Sequence, residues 1–115
     1  MRKYFTYIVS NKKRGAIYTG MTNDLIQRVK DHKQKVNRSF TGRYNLDKLV
    51  WYEIFPTAIQ AIKREKEIKG WVRSKKIALI EETNPNWIDL YDDMVASLKK
   101  TYGKMSEIWD YKRDE

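Results

Sequence analysis

Two runs of aromatic and β-branched residues near the start of the chain limit its possible folds more than any other feature. Lys3-Tyr-Phe-Thr-Tyr-Ile-Val9 and Ala16-Ile-Tyr-Thr19 are separated by the polar, glycine-containing Asn11-Lys-Lys-Arg-Gly15. Such a pattern reads as a β-hairpin with a loop of about five residues, with Gly20 expected to end the second strand.

The pattern then turns helical. Thr22-Asn23-Asp24 offers a cap, and Leu25, Ile26 and Val29 recur at helical spacing to about Lys35. A polar loop containing Gly42 leads to a third strand, Leu49-Val-Trp-Tyr-Glu-Ile-Phe55, which Pro56 stops. Thr57-Ala-Ile-Gln60 matches a capping box, and Ala58, Ala61, Ile62 and Ile68 mark the apolar stripe of a second helix running to about Lys69, where Gly70 breaks it. Ser74 is the expected cap of a third helix through Glu82, ended by Asn84-Pro85. A last helix, from about Asp89 to Lys100, carries Tyr91, Met94, Val95 and Leu98 as its packing stripe. The order β-β-α-β-α-α plus a C-terminal helix predicts an α+β fold in which a three-stranded antiparallel sheet is flanked by helices. Residues 1–90 are expected to form one domain, with 91–115 a helical extension packed on or flanking it. That extension has three options: intramolecular packing, a dimer contact, or a cover over the basic face. Beyond about Tyr102 the chain is expected to fray.

Composition narrows the chemistry. The 115 residues suit one domain. With no cysteine and one histidine, thiolate chemistry and multi-histidine metal sites are excluded, so a metal would be a hard cation on carboxylate oxygens. No apolar run approaches the roughly 20 residues that span a bilayer, and Met1 to Ser10 lacks a secretory signal's long apolar stretch, so a cytoplasmic location without membrane association is expected. The formal charge is +9, but residues 1–80 hold 19 Lys and Arg against 6 Asp and Glu, whereas residues 81–115 hold 5 against 9. The first two thirds therefore suit a polyanion, with Lys12, Lys13, Arg14, Lys33, Arg43, Lys69, Lys75 and Lys76 as candidate nucleic-acid contacts. Solubility alone would also explain such charge.

Among residues that could act chemically, Glu65 stands out by phase. It lies four residues after Ala61 and three before Ile68, on the apolar stripe, while Glu67 falls on the wet side. An inward carboxylate needs a cation, a hydrogen-bond donor or a metal, and a salt bridge at the helix edge would suffice. Arg28 and His32, four apart, share a helix face and read either as surface residues or as a phosphate clamp with a titrating neighbour. Tyr4, Tyr7 and Tyr18 are ordinary sheet formers when taken singly.

Taken together these residues resemble a known set. Tyr7, then Tyr18-Thr19-Gly20, then Arg28 and His32 on a helix opened by Thr-Asn-Asp, then Glu65 in Ala-Ile-Lys-Arg-Glu-Lys-Glu-Ile-Lys-Gly-Trp71, closely resemble the GIY-YIG nuclease family. The likeness is greatest to its small stand-alone members, relatives of the N-terminal nuclease domain of the bacterial excision-repair incision subunit, and it covers residues 3 to about 90. Phe5-Thr6-Tyr7 lacks the namesake Gly and Ile, Thr19 replaces the second Ile, and Met21 stands where some members have lysine. Both tyrosines remain. The resemblance implies an endonuclease that hydrolyses phosphodiesters, DNA in preference to RNA, using one Mg2+ or Mn2+. It implies Tyr18 as general base, Tyr7 as a hydrogen-bonding partner, Arg28 on the scissile phosphate, Glu65 on the metal, and His32 in proton transfer or phosphate contact. Asn84 and Asn86 are candidates for the family's polar residue after the glutamate helix. A phenol of ordinary pKa, about 10, needs nearby positive charge to act as a base at neutral pH. The alternative is a non-catalytic nucleic-acid-binding module of the same fold.

Overall fold

The computed structural model describes residues 3–34 and 44–102. Strands β1 (Tyr4–Ser10), β2 (Ile17–Thr22) and β3 (Lys48–Phe55) form one antiparallel sheet in the order β2-β1-β3. Among the described residues four helices accompany it: α1 (Leu25–Gln34), α2 (Ala58–Lys69), α3 (Arg73–Thr83) and α4 (Tyr91–Tyr102). The α+β architecture with a hairpin start is the one expected. Gly42 and Arg43 lie outside the described residues.

The sheet separates two cores. Because side chains alternate along a strand, Phe5, Tyr7 and Val9 face one way and pack with Leu25, Val29, Met94 and Leu98 of α1 and α4. Ile8 faces the other way and packs with Val50, Trp51, Ile68, Ile80 and Trp87, in the layer of α2 and α3. A register shift at Ile8/Val9 leaves Val50 as an extra residue in β3, which turns two consecutive residues, Val50 and Trp51, into that second core. Helix α4 packs intramolecularly through Met94 and Leu98. Among the described residues no helix is long and apolar enough to cross a membrane.

Local signals explain most boundaries. The Asp24 carboxylate accepts from Gln27 N–H at 3.1 Å, and the Thr57 hydroxyl accepts from Gln60 N–H at 3.3 Å, capping α1 and α2 as expected. Asp89 sits just before α4, and its carboxylate accepts from both Tyr91 N–H and Leu49 N–H at 3.1 Å, tying the helix start to β3.

Three expectations are corrected. β2 runs through Gly20 to Thr22 rather than ending there, because Gly20 pairs with Tyr7 as an ordinary strand residue. Ser74 lies inside α3, whose N-cap is Val72 with no side-chain cap bond; Lys75 and Lys76 N–H reach the Val72 carbonyl instead. Ile62 is 37% exposed, so the buried line on α2 runs through Ala61 and Ile68 alone.

Candidate active site

Tyr7 is the hub of the site. It is fully buried in the middle of β1, directly opposite Gly20 on β2. A Cβ on residue 20 would lie 2.6 Å from Tyr7 Oη and 2.7 Å from its Cζ, so the glycine makes room for the phenol to cross the neighbouring strand. Gly20→Ala is therefore expected to cost about 1–3 kcal/mol by overpacking a rigid, buried ring. A thermal-melt midpoint equal to wild type would show instead that the strand yields.

Helix α1 brings the second group. His32 Nε2 lies 3.0 Å from Tyr7 Oη, and its ring centroid is 5.7 Å from that of Tyr7 and 6.1 Å from that of Tyr18. Burial holds both partners neutral. Burial pushes the Tyr7 phenol up to about 12, against the pull of Arg28, while Tyr18 and Glu65 push the same way as burial. Burial and then the Arg28 charge press the His32 imidazole down to about 4, with Asp31 opposing. At neutral pH the pair is a protonated phenol and an uncharged imidazole, and the site's fixed cation from α1 is Arg28, one turn earlier and exposed.

Helix α2 supplies the carboxylate from the opposite layer. Its position is fixed by the buried Thr6 hydroxyl on β1, which donates to the Ala61 carbonyl at 2.7 Å, one turn before Glu65. The Glu65 side chain is 20% exposed and accepts from Lys69 Nζ at 3.0 Å; that same Nζ stands 5.4 Å over the ring of the half-buried Tyr18. Glu65 thus has the inward phase its spacing predicted, and a helix-edge salt bridge as its partner. Glu67, on the wet side, is 53% exposed and pairs with Arg64.

The five sequence-predicted site residues, Tyr7, Tyr18, Arg28, His32 and Glu65, converge at the β1–β2 edge. The basic residues are more scattered. Lys12 and Lys13 are exposed on the β1–β2 loop. Arg14 is engaged structurally, donating from Nε and NH2 to Glu81 at 2.9 and 2.8 Å, and Trp87 Nε1 donates to the same carboxylate at 2.8 Å. Glu81 thereby ties down two residues of left-handed backbone, Arg14 (φ 56°) and Trp87 (φ 55°), and these donors hold its carboxyl down at about 2. Lys33 reaches the Asp47 carbonyl and the Asp89 carboxylate, bracing α1 against the start of α4. Lys75 Nζ lies 4.4 Å over the Trp71 ring, and Lys76 is half-buried. Asn84 has a structural role: its amide donates to the Val50 and Ile88 carbonyls and accepts from Ile88 N–H. Lys69, expected as a nucleic-acid contact, joins the site through its ion pair with Glu65, a pairing that the i,i+4 spacing of the two residues signals.

Among the described residues no group of three or more His, Asp or Glu could hold a metal. A hard cation could still be carried by Glu65 with water and phosphate oxygens of a substrate, the arrangement Mg2+ favours.

Comparison with known proteins identifies the family. Residues 3–78 match the GIY-YIG catalytic domain model. A UPF0213 protein of Staphylococcus saprophyticus is 39% identical over 82 residues, covering 71% of this chain and 99% of the relative. One from Staphylococcus aureus is 38% identical with the same coverage. The solution NMR structure of a UPF0213 protein from Bacillus halodurans is 29% identical, with a TM-score of 0.48, covering 76% of this chain and 92% of that one. A match over residues 3–78, spanning the whole sheet and the helix that carries Glu65, together with a relative 39% identical over 71% of the chain, places this chain in the GIY-YIG family alongside the UPF0213 proteins.

Proposed function

We propose that this protein is a metal-dependent endonuclease that hydrolyses phosphodiester bonds of DNA. Membership of the family gives it a nuclease-type function and a nucleic-acid partner. One observation carries the finer reading. Arg28 and Glu65, on helices from opposite layers and 37 positions apart in sequence, both fall within the electrostatic surroundings of Tyr7, the one fully buried tyrosine among the described residues. Packing alone gives no reason to gather an arginine, a carboxylate and a second phenol there.

In this reading Tyr18, half-buried at the sheet edge, takes the proton of the attacking water as its oxygen bonds to phosphorus and the ester P–O bond breaks. Arg28 holds the scissile phosphate and offsets the charge developing on its oxygens. Tyr7 and His32, locked together and uncharged, orient Tyr18 and the phosphate without themselves supplying charge. Glu65 is the residue that would hold a divalent cation, which supplies charge neutralisation at the leaving oxygen. Lys12 and Lys13 extend the basic face toward flanking phosphates.

The test uses purified protein with supercoiled plasmid and with branched or flapped DNA, in Mg2+, Mn2+ or chelator, beside Arg28→Ala and Glu65→Ala. Nicking is expected only with metal, and each variant should lower it by about 100-fold or more. Equal nicking by all three proteins would identify a contaminant and end the catalytic reading. DNA retardation without cutting, steeply weakened by salt, would instead mark a binding module.

A further inference from the structure

We propose that Lys69 is a resident competitor for the Glu65 carboxylate, its ammonium occupying the place a divalent cation would take. The inference rests on the proposed function, since it assumes that Glu65 is the residue a cation seeks. Its geometric basis is separate. Lys69 Nζ lies 3.0 Å from Glu65 Oε2, one helical turn on, and 5.4 Å over the Tyr18 ring. The carboxylate is mostly buried, at 20% exposure, whereas the lysine side chain is 46% exposed. A group so placed can swing to solvent at small cost, while the carboxylate cannot follow it.

Two consequences follow from charge. With Lys69 in place, Glu65 needs no metal to satisfy it, so the site stays ordered when metal is scarce. A cation arriving alone must displace the ammonium and then sit beside it, two like charges at contact range, which weakens binding of the bare ion. A phosphodiester changes that balance by giving the displaced ammonium an anionic partner next to Tyr18. Metal and nucleic acid should therefore bind with positive coupling, each favouring the other.

The competitor reading and a purely structural reading predict opposite signs. If Lys69 only positions Glu65, removing it should weaken or leave unchanged the affinity for a cation. If it competes, removing it should strengthen that affinity. The experiment titrates Mn2+ into isotope-labelled protein without nucleic acid and follows paramagnetic broadening of the backbone amides of residues 61–69. Lys69→Met is expected to move the half-broadening concentration down by about fivefold or more. Lys69→Arg should track wild type. Lys66→Met, which removes an exposed charge from the same helix, controls for net charge and should move the midpoint far less. The same spectra report whether each variant is folded.

Glu65→Gln separates the two ideas. If it broadens like wild type, Glu65 is not the cation's ligand and the proposed function falls with the inference. If Glu65→Gln abolishes the broadening while Lys69→Met matches or trails wild type, the competitor role alone is overturned. Equal gains in Lys69→Met and Lys66→Met would overturn it as well, and so would the lack of broadening in wild type and Lys69→Met alike.

Discussion

Tyr18→Phe is expected to slow DNA cleavage by about 10²–10⁴-fold, the usual cost of losing a positioned general base, while leaving DNA affinity near the wild-type value. Tyr7→Phe, two strand positions from it across the ladder, should behave differently. The two phenols differ in their surroundings. Tyr7 is fully buried, is held at about 12 and stands against an uncharged imidazole, so at neutral pH it keeps its proton almost without exception. Tyr18 is half-buried on the edge strand, with the Lys69 ammonium above its ring. Only the second is placed to meet a water. Tyr7→Phe should therefore register first as stability, costing about 1–3 kcal/mol because His32 Nε2 is left without its buried partner. Its effect on rate should follow from disorder in the site. Single-turnover cleavage and urea unfolding of both variants separate these effects. A Tyr18→Phe enzyme that cuts at wild-type speed, beside a folded Tyr7→Phe enzyme that does not cut, would reverse the two assignments.

How far the sequence discloses this arrangement depends on whether the needed information is local. Strand runs, the Asp24 and Thr57 caps and the helical phase of Glu65 are properties of neighbouring residues, and all are readable from the chain. Errors arise where a distant partner decides. Gly20 resembles a strand terminator until pairing sets it against Tyr7, where the missing side chain is what the phenol requires. Ser74 has the right chemistry for a cap, but the chain enters α3 earlier, with the N-cap at Val72, two residues before it. Ile62 fits the stripe by spacing, yet the rotation of α2 is set by Thr6 gripping the Ala61 carbonyl, which turns Ile62 toward solvent.

The same distinction sorts the polar residues. Arg14, Lys33 and Asn84 look alike in sequence, as surface groups free to meet nucleic acid or to join a site. Their partners Glu81, Asp89 and Val50 lie 67, 56 and 34 positions away, and those partners make them structural ties. Conversely, Tyr7 and Tyr18 are unremarkable as sheet formers. They gain meaning only when α1 sets His32 between them and α2 brings Glu65 and Lys69 round the edge of the sheet. The family resemblance supplied what local pattern could not, because it encodes those distant pairings.

Acid should destabilise this protein early, and His32 should be the reason. The folded imidazole is held down at about 4, first by burial and then by Arg28, whereas an unfolded histidine titrates near 6.5. Between those values the unfolded chain binds the extra proton and the folded chain does not. The stabilising contribution is therefore complete above pH 6.5 and lost as pH falls toward 4. Its full size is on the order of 3 kcal/mol, at about 1.4 kcal/mol for each unit of pKa difference. Glu81, held at about 2, does not mask the upper half of this window, because it loses its advantage only once pH falls below the ordinary carboxyl value of 4.5. Urea midpoints measured from pH 7.5 down to 5 should fall in wild type and stay nearly level in His32→Gln, which keeps a polar group against Tyr7 but cannot titrate. Parallel curves would mean that the folded site accepts a charged imidazole, and a direct phosphate contact by His32 would then regain its place. A level variant and a falling wild type would instead leave Arg28 as the positive group that α1 directs at substrate, with His32 serving to hold Tyr7.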